Sequence, residues 1–371
     1  MKYLISGGGT GGHIFPAVSI ANALQELDKE SDILFVGALG RMEMERVPQA
    51  GYKIIGLPVR GFDRKHLWKN IPIMMDLLRS MWQARKIVKT FQPHVGIGVG
   101  GYASGAAMKV ASSMGIPILL QEQNGFAGVT NKLLKNNASK ICVAYEGMER
   151  FFPADKIILT GNPVRQNLLN GSREEAINYF NETYGVKFSP DKKTLLIIGG
   201  SLGARTINEG ILNQLDTLAK HNIQVIWQTG KSYYDDCKIK AQEHIGKWLI
   251  CTDFLGRMDL SYAIADLVIS RAGASSISEL CLLGKPCILV PSPNVAEDHQ
   301  THNAMALVSK NAAVMVKDID AKKEMVTTSL DILNNEEQLT ALRKNILALA
   351  QKDSARRIAE EVIKLAKQMQ K

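Results

Sequence analysis

Two turns stand out for their chemistry: Gly7-Gly8-Gly9-Thr10-Gly11-Gly12-His13, and Gly199-Gly200-Ser201-Leu202-Gly203-Ala204. Each follows a short apolar run and leads into an amphipathic helical pattern. A turn without β-carbons at a helix N-terminus leaves backbone N–H groups open, and a phosphate or diphosphate is the guest they suit. The stretch Gly98-Val99-Gly100-Gly101-Tyr102-Ala103-Ser104-Gly105 offers another such cradle, although tight strand-to-helix packing also calls for glycine there. A fourth turn, Ser270-Arg271-Ala272-Gly273, opens the helix carrying Ala274, Ser275, Ser276 and Glu279. The serines and free N–H groups can hold phosphate. Glu279, one turn further in, can reach back to a ribose diol or simply complement the helix dipole.

His13 closes the first turn where the helix dipole disfavours an imidazolium. A neutral ring there can accept a proton, or it can be satisfied by a backbone group. The pattern Gly7-x-Gly9-x-x-Gly12 also fits a dinucleotide fingerprint, but such a site wants an acid at the end of the second strand to hold the ribose. That strand reads Ile33-Leu34-Phe35-Val36-Gly37-Ala38 and ends in small apolar residues, which argues against a nicotinamide or flavin enzyme. His299 and His302 lie three apart among carboxylates. A helix start of that composition is more often polar capping than a metal site, so neither metal nor cofactor is expected.

Strand-length apolar runs alternate with helical patterns along the whole chain, which predicts parallel sheets covered on both faces: an α/β fold. Runs at 2–6, 32–37, 53–57, 95–99, 117–120, 140–144 and 156–159 form one set. Those at 194–198, 223–228, 247–251, 266–270, 286–290 and 312–316 form another. At 371 residues the chain exceeds one ordinary core, and two Rossmann-like domains are expected. Gly161 and Pro163 break the pattern, so we place the domains at 1–162 and 163–335, with a helical tail at 336–371 that packs back toward the first domain.

The net charge of +9 favours anionic partners. No RRM, zinc-finger or helix-turn-helix signature accompanies it, which ranks nucleic acid last. The five cysteines lack Cys-x-x-Cys spacing and read as reduced, buried residues. The N-terminus carries too few apolar residues for a signal peptide, and the uncharged run 91–108 contains Pro93 and five glycines, so a strand and loop are expected there. The segment 62–86 is unlike the rest. Leu67, Trp68, Ile71, Met74, Met75, Leu78 and Trp82 share one helical face flanked by Arg and Lys. Such a face suits an anionic bilayer, or it is core; Trp68, Ile71 and Met75 are the candidate membrane contacts.

The four turns, together with Gln121-Glu122-Gln123-Asn124-Gly125 and Gly161-Asn162-Pro163-Val164-Arg165, resemble the MurG family. These are bacterial UDP-N-acetylglucosamine:N-acetylmuramyl-(pentapeptide)-pyrophosphoryl-undecaprenol N-acetylglucosaminyltransferases. The resemblance runs in order from residue 7 to at least Asn303. It implies a GT-B fold, with a C-terminal domain for UDP-N-acetylglucosamine and an N-terminal domain for lipid I. It implies that Thr10, Gly11, Gly12 and Asn124 line the sugar of the donor, and that Arg165 and Ser201 meet its diphosphate. Leu255 would meet uracil through its backbone, Ala274, Ser275, Ser276 and Glu279 phosphate and ribose, and Gln300 the sugar hydroxyls. Gly100, Gly101, Tyr102 and Ser104 are then the candidates for the acceptor diphosphate. Gln121 stands where the family often has His.

The expected chemistry is a single displacement with inversion, His13 acting as base and no metal taking part. The expected partners are the two substrates and the anionic cytoplasmic face of the bacterial inner membrane, with cell-wall synthesis proteins as further candidates. A non-hydrolysing UDP-N-acetylglucosamine epimerase would share the sheets without needing the basic apolar helix. A membrane-recruitment module would explain that helix and leave the glycine cradles idle.

Overall fold

The computed structural model describes residues 1–60, 70–164, 166–200 and 202–369. Two compact units emerge: Met1–Val164 with Gln351–Lys371, and Arg165–Ala350. The first holds a seven-stranded sheet of β1 (Lys2–Ser6), β2 (Asp32–Ala38), β3 (Lys53–Leu57), β4 (Val95–Gly98), β5 (Ile118–Glu122), β6 (Lys140–Val143) and β7 (Ile157–Leu159). The second holds six: β8 (Lys193–Ile198), β9 (Ile223–Gln228), β10 (Leu249–Thr252), β11 (Leu267–Ser270), β12 (Cys287–Leu289) and β13 (Val314–Met315). All pairings between these strands are parallel. Their central strands are buried along their whole length, which is why they read as unbroken apolar runs and not as alternating ones.

The strand orders are β3-β2-β1-β4-β5-β6-β7 and β10-β9-β8-β11-β12-β13. Each reverses once, between β1 and β4 and between β8 and β11. In an open parallel sheet, ligands bind beyond the strand C-termini at such a reversal, because the following helices depart to opposite faces and leave a crevice. The glycine turns after β1 and β4 lie at the first reversal, and those after β8 and β11 at the second. Ser6 is in register with Gly98, and Ile198 with Ser270, so each pair of turns leaves its sheet at the same level.

The terminal helices divide between the units. Helix Glu336–Ala348, capped by Asn335, packs on helices Ala274–Leu282 and Ala321–Leu333 in the second unit. The division after Ala350 therefore separates it from the rest of the 336–371 tail. Helix Ser354–Met369 buries Ala355, Ile358, Ala359, Val362, Leu365 and Ala366 against helix Gly11–Leu27 in the first unit. All five cysteines are buried and unpaired. Burial pushes the thiols of Cys142, Cys251 and Cys281 up to about 12 and that of Cys237 to about 11, so none offers a thiolate for catalysis.

Candidate active site

At the reversal of the first sheet, two loops close on each other. The Gly8 N–H donates to the Gly100 carbonyl at 3.3 Å. Gly101 has φ +89°, and a Cβ there would stand 2.5 Å from the Gly8 carbonyl oxygen, so only glycine permits this approach. Helices Gly11–Leu27 and Tyr102–Ser113 start at these loops without a side-chain cap, unlike helix Arg173–Tyr184, whose first turn is closed by the Ser172 hydroxyl. Their first N–H groups are thus not taken by a capping side chain. Gly100 and Ser104 are buried and Tyr102 is exposed; the Ser104 hydroxyl has no hydrogen-bond partner among the described residues.

His13 sits in the first turn of helix Gly11–Leu27, with Nδ1 3.0 Å from the Gly8 carbonyl oxygen. A carbonyl can only accept, so Nδ1 carries the proton, and in the uncharged form of the ring the lone pair lies on Nε2. The ring lies against Gly100, where a Cβ would stand 2.9 Å from Nε2. Thr10 and Gly12 beside it are exposed, and Gly11 is half-buried.

Two buried carboxylates brace these loops, and neither was given a role from sequence. Glu43 is fully buried: Oε2 accepts from the Gly9 N–H at 2.9 Å and Oε1 from the Ala38 N–H at 3.0 Å. Glu122, at the end of β5, accepts from the N–H groups of Asn124 at 3.1 Å and Gly128 at 2.9 Å, and from Asn131 Nδ2 at 2.9 Å. The Asn124 loop is tied to the glycine turn after β4 by Gln123, whose Nε2 donates to the Val99 carbonyl at 2.9 Å and to Gln121 Oε1. Gln121, in turn, donates to Asn162 Oδ1 at 2.9 Å.

The second unit repeats the plan. Gly203, at φ +85°, packs so closely on the Thr229 carbonyl that a Cβ would lie 2.1 Å from it. Gln228, at the end of β9, bridges two loops: its Nε2 donates to the Gly200 carbonyl at 3.1 Å, and its Oε1 accepts from the Leu255 N–H at 2.9 Å. That N–H is one of the two backbone groups by which Leu255 could meet a base, and here a side-chain amide occupies it. Helix Ala274–Leu282 starts at Gly273 with no side-chain cap; Ala274, Ser275 and Ser276 at its start are half-buried. Glu279 is buried at 8 % exposure and accepts from the Tyr262 hydroxyl at 3.0 Å, a brace absent from any local sequence pattern.

Arg271 donates to the Val290 and Pro291 carbonyls at 3.1 and 3.2 Å and pairs with Asp318. Gln300 Oε1 accepts from the Ser292 N–H at 2.9 Å, which orients its amide so that Nε2 is the end turned to other partners. The buried Asn303 donates from Nδ2 to the Ala272 carbonyl at 3.2 Å.

The structure therefore gathers Thr10 to His13 with Gly100 to Ser104, linked to Asn124 through Gln123, in the first unit. It gathers Leu255 with the Gly200 loop, and Ala272 with Asn303 of helix His299–Val308, which also carries Gln300, in the second. Arg165, Ser201 and Trp68 lie outside the described residues, and Ile71 lies in helix Asn70–Phe91 with its side chain outside them. Along that helix Met74, Met75, Leu78 and Trp82 are 49 to 67 % exposed, and Trp82, Arg85, Lys86 and Lys89 line a surface hollow. No described helix is long and apolar enough to cross a membrane. Among the described residues, no group of three or more His, Cys, Asp or Glu could hold a metal ion.

Residues 3–143 match the glycosyltransferase family 28 N-terminal domain and residues 194–362 its C-terminal domain. The chain is 60 % identical over 373 residues to a Bacteroides fragilis UDP-N-acetylglucosamine–N-acetylmuramyl-(pentapeptide) pyrophosphoryl-undecaprenol N-acetylglucosamine transferase, covering 99 % of this chain and 96 % of the relative. It is 58 % identical to the protein of that name from Parabacteroides distasonis, covering 98 % of each. Among solved structures it is similar to Acinetobacter baumannii MurG, with a TM-score of 0.79 and 25 % identity over 98 % of this chain and 99 % of that one. A UDP-N-acetylglucosamine 2-epimerase from Neisseria meningitidis, 14 % identical over 98 % of this chain and all of that one, shares the fold at a TM-score of 0.68. With both glycosyltransferase domains in order and more than half of its residues shared end to end with these transferases, the chain belongs to the MurG family of N-acetylglucosaminyltransferases.

Proposed function

We propose that this chain moves N-acetylglucosamine from UDP-N-acetylglucosamine to the 4-hydroxyl of the N-acetylmuramyl unit in undecaprenyl-pyrophosphoryl-N-acetylmuramyl-pentapeptide, converting lipid I to lipid II for peptidoglycan. The observation that carries it is the pair of glycine turns at each sheet reversal, two sites fit for diphosphates in one chain, as a sugar-nucleotide donor and a pyrophosphoryl acceptor require. Full-length identity to transferases of that name supports the same reading.

His13 Nε2 is the base in this reading. It takes the proton from the 4-hydroxyl as that oxygen attacks the anomeric carbon from the face opposite the diphosphate. The bond from that carbon to the diphosphate oxygen breaks, its electron pair leaves with UDP, and the configuration inverts. The Nδ1–H bond to Gly8 selects the tautomer whose lone pair is on Nε2 and steadies the imidazolium as it forms. Charge on the departing diphosphate is met by the N–H groups at uncapped helix starts and by Arg165. Glu279 takes the ribose hydroxyls, and the Leu255 backbone takes uracil once Gln228 yields its N–H. Radiolabelled sugar should pass from UDP-N-acetylglucosamine to a lipid I analogue in the presence of this chain alone; release of free sugar without transfer, or epimerised donor, overturns the reading.

The second part of the proposal is attachment to the anionic cytoplasmic face of the cell membrane through helix Asn70–Phe91. Four large apolar side chains on that helix face water, beside exposed Arg79, Arg85, Lys86 and Lys89, so the stripe is not consumed by the core. Inserting each such side chain contributes on the order of 1 kcal/mol or more, and each nearby cation about 1 kcal/mol. Replacing Met75, Leu78 and Trp82 together by Ser should lower partition onto anionic vesicles by about 10- to 100-fold. The Michaelis constant for a long-chain acceptor should rise while a short-chain soluble acceptor is unaffected. Because these side chains are exposed, the variant should keep the wild-type melting temperature. Unchanged vesicle binding places the docking surface elsewhere.

A further inference from the structure

We infer that Glu43 is a positioning residue for the reaction, holding the loop that aims His13; the inference rests on the reading of His13 as base. Glu43 opens a short helix just after β2, and a carboxylate there could simply close the turn by accepting from the Ala38 N–H. Its second oxygen does something else. It crosses to a loop 34 residues away in sequence and accepts from the Gly9 N–H. Gly9 follows Gly8, whose carbonyl fixes His13 Nδ1. The link from the carboxylate to the imidazole is thus one peptide unit and two hydrogen bonds.

The fit around this carboxylate is close on two sides. A Cβ on Gly8 would stand 2.2 Å from Glu43 Oε1, and one on Gly37 would stand 2.6 Å from Glu43 Cγ. With Gly9 at φ +89°, the loop has no side chain of its own to set its path between Gly8 and Thr10. Glu43 supplies the fixed point instead. A glycine loop able to cradle phosphate is by composition a flexible one, and a base on its far end needs a rigid anchor to stay within the fraction of an ångström that proton transfer tolerates. Only a carboxylate presents two acceptor atoms side by side with no donor between them, and a glutamine at this position sets its NH2 against one of the two backbone donors.

Glu43→Gln tests this, with turnover, donor affinity and the imidazole signals of His13 read on the full chain. We expect the turnover number to fall by roughly 10- to 100-fold with the Michaelis constant for UDP-N-acetylglucosamine changed by less than about threefold, since only the alignment of the base is lost. Nitrogen NMR should show His13 leaving the single Nδ1–H tautomer. In a His13→Ala background, Glu43→Gln should cost less than about twofold more, because two residues acting through one step are not additive. Should Glu43→Gln not fold, Gly37→Ala displaces the Glu43 stem by steric contact alone, and the same loss of turnover is expected from it. Normal turnover in a folded Glu43→Gln while His13→Ala is inactive overturns the role of Glu43 alone, as do full multiplicative effects in the double variant. Normal turnover in His13→Ala overturns the assignment of the base, and with it the route through Glu43.

Discussion

His13→Ala should lower the turnover number by roughly 10²- to 10⁴-fold, the range a lost general base usually costs, with UDP affinity nearly unchanged. The expectation follows from the ring's anchorage. The Gly8 carbonyl fixes the proton on Nδ1, and the ring packs on Gly100, so the only nitrogen able to receive a proton is held beside the second glycine turn. His13→Gln separates orientation from basicity: its amide can occupy the same space but cannot accept a proton near neutral pH. If either variant turns over at a near-normal rate, the ring is structural, and the base must be sought elsewhere. Steady-state rates at saturating acceptor, with UDP binding measured by calorimetry, decide between these outcomes.

Glu279→Ala should weaken UDP binding by about 10- to 100-fold. Hydrogen bonds to a charged group contribute about 1.5 to 3 kcal/mol, and the ribose diol would lose such bonds from this carboxylate. Its burial and the hydrogen bond from Tyr262 matter here, because they hold the side chain in one position before the nucleotide arrives. Tyr262→Phe keeps the carboxylate and removes the brace, so its loss should be smaller and of the same sign. Deoxyuridine diphosphate provides a check free of folding effects: if Glu279 holds the diol, the wild type should prefer UDP over the deoxy analogue by more than the Glu279→Ala variant does. Equal preference in both proteins removes the ribose role.

These expectations draw unequally on sequence and structure. The Gly7 to His13 turn announced itself by composition, and so did the helix start at Ala274, because a cradle for phosphate requires glycine and a following helix in unbroken local order. Glu122 lay inside a motif already noted, yet its work could not be read there. Glu43, Gln228 and Tyr262 gave no signal at all, since each acts on a partner brought near by the fold: Gly9, Leu255 and Glu279 respectively. The family resemblance assigned the Leu255 backbone to uracil, and in the structure Gln228 holds its N–H.

By itself the sequence determined the two doubly wound sheets and the places of their glycine turns. Parallel strands buried on both faces must be apolar throughout, and a backbone that approaches another within van der Waals contact must be glycine, so both leave marks that neighbouring residues cannot disguise. Only the tertiary structure decided which way the apolar stripe of helix Asn70–Phe91 faces, because periodicity fixes a stripe without saying whether core or water lies beyond it. It also decided that helix Glu336–Ala348 packs in one unit and helix Ser354–Met369 in the other. And it decided which polar side chains are buried as braces, since a carboxylate such as Glu43 is stable without water only when backbone donors from distant loops converge on it.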